Sequence, residues 1–201
     1  TNGVVEDKPH LLLEPSSTNL VTHSVDLSNA FWTKFNTTVA TNNTTAPDGT
    51  VTANKITSSG TFANINRTFT KSASALSYTQ SAFVKTSGYD LFNFIAYGSS
   101  SANRAQVEFS LTNGNINTAA IAVGSFTSAS ATITAYSNDW YKITLSYTTD
   151  TSTEVKYYLQ FPIEMSTNFI YLWGAQLEQQ TYCTSYIPTA GTTITRAAET
   201  C

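Results

Sequence analysis

Histidine, cysteine and charge are all scarce in this chain. Of its 201 residues two are His, two are Cys and only 11% are Asp, Glu, Lys or Arg, against roughly 25% in an ordinary soluble domain. Cys183 and Cys201 are too few for a disulfide scaffold and lack metal-ligand spacing; whether they pair depends on compartment and geometry. His10 and His23 both fall in an N-terminal stretch expected to be extended or looped, and no Gly-x-Ser-x-Gly elbow accompanies them. No Gly-rich phosphate loop follows a strand. Paired carboxylates remain as an enzymatic option, because glycosidases use two. Glu108 and Glu178 are the acids placed on expected strands, but surface acids on a binding face or a strand end are the simpler account. The expectation is a protein that is not an enzyme.

Basic charge is missing too. Ten Lys and Arg stand against thirteen acids, the formal charge is −3 and no basic run occurs. That argues against binding a phosphate backbone, so nucleic acid is not an expected partner. No run of 18 apolar residues is present, so no membrane insertion by a helix is expected. The opening "TNGVVEDKPHLLLEP" lacks the pattern of a signal peptide and reads as a cut inside a longer chain, as does the closing "RAAETC".

What the chain has is Thr, Ser, Asn and aromatic residues, with 41% apolar residues, enough for a core. β-branched Thr suits a pleated surface, while Ser and Asn compete with helical hydrogen bonds. Period-2 alternation dominates, and no 3.6-residue apolar stripe runs longer than two turns. Short strands are expected at 11–15, at both ends of 38–60 around a Pro47-Asp48-Gly49 turn, and at 62–70, 77–86, 91–97, 104–112, 116–123, 130–136, 140–149, 154–161 and 169–178. Asn113-Gly114 is a hairpin signal, since both residues tolerate positive φ. About a dozen strands at this spacing predict an all-β, jelly-roll β-sandwich of two antiparallel sheets.

The alternation assigns faces. Ala105, Val107, Phe109 and Leu111 share one side of their strand, and Val155, Tyr157, Leu159 and Phe161 one side of theirs. Suppose the opposite sides lie on one curved sheet. They then present Phe83, Lys85, Asn93, Tyr97, Arg104, Gln106, Glu108, Tyr158 and Gln160 together. Ring faces pack on the C–H patches of a pyranose and planar amides bind its hydroxyls, so this set suits a glycan. An ordinary solvated sheet face also carries Lys, Gln and Tyr. In "YLWGAQLE", Tyr171, Trp173, Ala175 and Leu177 are expected on the core side, with Tyr186 and Ile187 of "TSYIPT" sealing an edge.

Several blocks carry a family resemblance. "LLLEPSSTNLVTHSVDLSNAFWTK", "TTAPDGTVTANKIT", "SAFVKTSG", "RAQVEFSLTNG", "NDWYKITLSYT" and "LWGAQLEQQTYCTSYIPTAGTTITRAAET" follow one another in order over about residues 11–200. The set resembles domains of phage tail and virion proteins and related bacterial surface proteins, and is similar to the jelly-roll carbohydrate-binding modules attached to xylanases and other hydrolases. The resemblance implies a noncatalytic, concanavalin-like sandwich in which a concave sheet or loop edge binds a polysaccharide. It implies a place on a virion surface or outside the cell, with other virion domains as further partners, or a purely structural role among them. Residues 1–10 are read as an extension and 11–201 as one domain. No cofactor is required. Structural calcium occurs in such modules, and Asp26, Asn29 and Glu178 are the candidates here. Asp26 as an Asx cap of its turn is the favoured account, and Trp173-Gly174 stands where hydrolase-attached relatives often place an acidic ligand.

Overall fold

The computed structural model describes residues 13–161 and 169–199. In chain order its strands are β1 (Ser17–Asn19), β2 (Thr33–Phe35), β3 (Thr37–Thr44), β4 (Ala53–Ser58), β5 (Asn64–Thr70), β6 (Ser77–Thr86) and β7 (Leu91–Tyr97). There follow β8 (Arg104–Ser110), β9 (Asn115–Val123), β10 (Thr127–Ala135), β11 (Trp140–Thr148), β12 (Glu154–Gln160), β13 (Phe169–Glu178) and β14 (Ile194–Arg196). Two six-stranded antiparallel sheets form the sandwich, ordered β10-β11-β6-β13-β4-β3 and β2-β5-β12-β7-β8-β9. Most connections cross from one sheet to the other, as in a jelly roll. Among the described residues no helix is long and apolar enough to cross a membrane.

The core lies between the sheets and follows the alternation. Phe92, Phe94, Val107, Phe109, Val155, Tyr157 and Leu159 from one sheet meet Ile56, Tyr78, Val84, Ile143, Leu145 and Leu172 from the other, all at most 2% exposed. Two polar groups are stitched across this interior. The Tyr157 hydroxyl donates to the Ser81 carbonyl at 2.8 Å, and Gln80 Nε2 donates to the Ile95 carbonyl at 3.0 Å. Buried polar atoms without partners cost stability, so these bonds also fix how the sheets register on each other.

The structure corrects the expected facing of β13. Ile170 and Leu172 face the core, and so do Ala175 and Leu177, while Tyr171 and Trp173 lie on the opposite side. A bulge between Trp173 and Gln176 shifts the register and switches parity at Gly174, whose φ is +64°. A Cβ there would sit 3.0 Å from the Phe83 ring. The ladder with β4 ends at Leu172, and beyond it Asn19 takes up strand groups of β13: its Nδ2 donates to the Ala175 carbonyl at 3.2 Å and its Oδ1 accepts from Leu177 N at 3.1 Å.

The closing segment is held by its own motif residues. Gln176 Oε1 accepts from Ile187 N at 2.7 Å, and Ser24 Oγ and the Tyr186 hydroxyl lie 2.6 Å apart. Glu14 accepts from Ser185 N at 2.8 Å and pairs with Arg196 at 2.5 Å, next to the β1–β14 ladder. The expected strand at 11–15 is absent over Leu13, Glu14 and Pro15; its first two residues, the extension at 1–10 and Cys201 lie outside the described residues.

Candidate glycan-binding face

The outward side of β2-β5-β12-β7-β8-β9 can be mapped from its ladders as three rows running across the strands. The first row reads Phe35, Asn64, Gln160, Asn93, Glu108 and Thr118. The second, two residues along, reads Thr33, Asn66, Tyr158, Ile95, Gln106 and Ile121. The third reads Thr68, Lys156, Tyr97, Arg104 and Val123. Seven of the nine residues expected to form a binding face therefore share one surface: Asn93, Tyr97, Arg104, Gln106, Glu108, Tyr158 and Gln160.

Phe83 and Lys85 do not join them. Both lie on β6 of the other sheet, and the supposition that all the polar strand sides share one sheet fails there. Phe83 is 5% exposed and packs with Trp173, Trp140, Ala46 and Ala53 in a second apolar cluster on the outer side of that sheet. Lys85 donates to the Asn138 carbonyl at 2.7 Å at the cluster's margin.

Over the β2–β7 part of the mapped face lies a groove of about 500 Å³, a size suited to a small ligand or a segment of a longer one. Tyr97 and Tyr158 meet edge to face inside it, centroids 5.1 Å apart and planes at 87°, as diagonal neighbours on adjacent strands do. Both rings remain partly exposed. Burial pushes both phenols up; for Tyr97 the nearby Arg104 guanidinium pulls down and Tyr158 adds to the rise. Each hydroxyl therefore keeps its proton through the neutral range and can both donate and accept.

The polar side chains are held in place. Arg104 donates through Nε to Gln106 at 2.6 Å and through a terminal nitrogen to the Ser101 carbonyl at 3.1 Å. Glu108 accepts from Asn117 at 2.5 Å. Asn66 donates to Asn64 Oδ1 at 2.7 Å, and Asn64 passes its own amide on to the Phe62 carbonyl at 2.8 Å. A smaller hollow of about 130 Å³ opens at Asn93, Gln106 and Glu108.

Sequence reasoning missed Thr33, Phe35, Asn64, Asn66, Ser101 and Lys156, which also line the groove. The signal for the asparagines was present: in "ANINRTF" they alternate with Ala63 and Ile65, both in the core. Lys156 alternates in the same way with Val155 and Tyr157 of the core.

The calcium candidates have partners of their own. Asp26 Oδ1 accepts from Ser28 N at 3.0 Å and Ser28 Oγ at 2.6 Å, an Asx turn, and Asn29 Oδ1 accepts from Phe31 N at 2.9 Å. Glu178 is fully buried and accepts from Ser17, Thr184 and Gln180. Among the described residues no group of three or more His, Cys, Asp or Glu could hold a metal ion. Glu178 and Glu108 lie on different sheets, so these two carboxylates do not flank a common cleft.

A second hollow, of about 390 Å³, lies on the other sheet between Pro47-Asp48 and residues 183–186. Its rings pack mainly on one another, with Phe83 5.0 Å from Tyr136 and 5.4 Å from Trp173. Its charges are engaged by the chain itself: Glu14 with Arg196, and Lys142 with the Thr184 carbonyl at 2.9 Å. Burial pushes the Cys183 thiol up, away from the reactive thiolate.

No protein-family model matches the chain, and no curated protein does. Similar solved structures include the enzymatically active domain of tailspike protein 4 of bacteriophage CBA120, at 13% identity and TM-score 0.47, covering 79% of this chain and 21% of that one. Another is the CBM22-1 and GH10 modules of the Clostridium thermocellum endo-1,4-β-D-xylanase 10B with xylohexaose, at 11% identity and TM-score 0.48, covering 87% and 30%. The chain thus spans less than a third of either neighbour.

Proposed function

We propose that the chain is a noncatalytic carbohydrate-binding domain whose glycan lies on the outer face of β2-β5-β12-β7-β8-β9. The observation that carries this reading is the groove itself: two partly exposed, mutually perpendicular tyrosines set among amides and charged groups that neighbouring strands hold in position. Aromatic faces take the C–H patches of a sugar ring, and the surrounding donors and acceptors take its hydroxyls. An open groove makes binding weak per site, and a repeated display would strengthen it.

The likeness of the opening and closing blocks to phage tail and virion domains supports a setting on a virion surface, with adhesion to a bacterial surface glycan or to mucus as the task. Binding is proposed to need no cofactor.

Affinity electrophoresis tests this. The panel is xylan, mixed-linkage β-glucan, galactomannan, alginate and bacterial capsular and O-chain polysaccharides, run with calcium and with a chelator. At least one polysaccharide retards the domain, equally under both conditions. Tyr97→Ala and Tyr158→Ala each weaken that binding at least tenfold (about 1.4 kcal/mol), while unfolding stability changes by less than about 1.5 kcal/mol. Normal binding by both variants, or no retardation by any polysaccharide, would contradict the proposal.

A further inference from the structure

The charge in the groove is of one sign. Among its described lining residues Lys156 alone is charged, and no carboxylate joins it. The other hollows differ. The one of about 390 Å³ has Glu14 and Asp48 in its lining, and the one of about 130 Å³ has Glu108. In a chain whose formal charge is −3, the groove with the open tyrosines is thus lined by a cation and no described acid.

The ladders set a second cation close by. In the third row Lys156 on β12 is paired with Tyr97 on β7, and Tyr97 with Arg104 on β8. Tyr97 therefore has a cationic neighbour on each side, one strand spacing away, roughly 5 Å between backbones. Arg104 reaches the groove's edge at Ser101, a lining residue whose carbonyl accepts from Nη1 at 3.1 Å. Its Nε donates to Gln106 at 2.6 Å, which orients the guanidinium, and Nη2 takes part in neither bond. The charge is felt at the Tyr97 hydroxyl, which it pulls down against the effect of burial. Lys156 is held loosely. Glu154 lies 3.8 Å from its Nζ, beyond hydrogen-bond length, with the two side chains 43% and 29% exposed. A pair of that kind contributes little to stability, so the ammonium is able to turn to a ligand.

We infer that the groove selects an acidic polysaccharide, with Lys156 and Arg104 holding the anionic group of the sugar that packs on Tyr97. This rests on the glycan-binding reading above and adds the chemical class of the ligand. Arg presents a planar fork that matches two oxygens of a carboxylate or a phosphate, and Lys adds a movable point charge. A neutral glycan offers these two cations hydroxyls alone.

The test compares paired probes on the whole chain by affinity electrophoresis at fixed ionic strength, each mobility taken relative to a gel without polysaccharide. Alginate, polygalacturonate and acidic capsular polysaccharides are run before and after reduction of their carboxyls to alcohols, and a phosphomannan before and after dephosphorylation. At least one acidic probe retards the chain, and its neutralised form binds roughly tenfold more weakly or worse. The pair that shows the loss identifies the group as carboxylate or phosphate. Lys156→Gln and Arg104→Gln each weaken binding of that acidic probe about fivefold to tenfold. Lys156→Arg weakens it by less than about twofold, and Tm stays the same in all three. Lys55→Gln, which removes one positive charge from β4 of the other sheet, leaves binding unchanged. Neutral or neutralised probes that bind as tightly as acidic ones overturn this inference while leaving glycan binding intact. Equal losses in Lys55→Gln and Lys156→Gln show attraction to overall charge and not to a site, and also overturn it. If no polysaccharide binds, both readings fall together.

Discussion

The outer faces of the two sheets start from the same kind of alternating strand and end differently. On β10-β11-β6-β13-β4-β3 the outward rings Phe83, Trp140 and Trp173 are at most 5% exposed, because chain segments roof them. Trp140 Nε1 donates to the Thr45 carbonyl at 3.1 Å, Trp173 Nε1 to Thr52 at 3.0 Å, and the Tyr186 ring packs tilted by 54° against Trp173 with centroids 4.5 Å apart. On β2-β5-β12-β7-β8-β9, among the described residues, no segment plays that part over Tyr97 and Tyr158, whose rings are partly open beside the groove. An aromatic residue on the outside of a sheet is therefore uninformative until its cover is known. Covered rings fasten loops to the sheet; open rings are available to a ligand.

That contrast can be broken by mutation. The largest effect is expected at its covered centre: Phe83→Ala removes the ring on which Tyr136, Trp173 and Tyr186 converge and costs about 3–5 kcal/mol in denaturant unfolding. Glycan affinity of the folded fraction is retained.

Alkali gives the next effect. Burial pushes the phenols of Tyr147 and Tyr157 well up and that of Tyr186 up to about 12. Unfolded tyrosines ionise near pH ~10, so the stability from these three is complete below that value and lost as pH rises through their native range. Tyr186 alone accounts for up to about 2–3 kcal/mol. Unfolding free energy measured against pH falls mainly beyond about 10, after a smaller decline from about 8.5 where the unfolded Cys183 thiol ionises, and a fall beginning near neutrality would contradict the assignment.

Gly174→Ala follows, at about 1–2 kcal/mol for the left-handed backbone, with more if the Phe83 ring does not yield. Its effect is on Tm and not on binding. Smallest is Lys85→Ala, whose exposed partner Asp139 lies 3.7 Å away; stability shifts by less than about 1 kcal/mol and glycan affinity stays the same.

Much of the sandwich was legible in the chain. The expected bounds of 77–86, 91–97 and 169–178 coincide with β6, β7 and β13; β7 keeps partial alternation, while β6 and β13 are central strands buried on both faces. Alternation is a local property, however, and the sheet a strand joins is not. Nothing in "SAFVKT" says that β6 lies between β11 and β13, which is why Phe83 and Lys85 were grouped with residues of the opposite sheet. The parity switch at Gly174 is hidden for a related reason: a bulge shows only when the partner strand's register is known.

The recognisable blocks also draw attention to closure. Asn19, Gln176, Glu178, Thr184 and Tyr186 are engaged in hydrogen bonds that hold the chain ends and the bulge. Asn64, Asn66, Tyr97 and Tyr158 lie outside those blocks, on strands paired through long-range contacts.

The most direct test of the open-face account is to map amide chemical-shift changes by NMR as fragments of a retained polysaccharide are titrated in. Saturable changes confined to β2, β5, β12 and β7 around Phe35, Asn66, Tyr158 and Tyr97, with β6 and β13 undisturbed, are the predicted result. Changes centred on Phe83, Trp173 and Tyr186 would place the ligand on the covered face and contradict it.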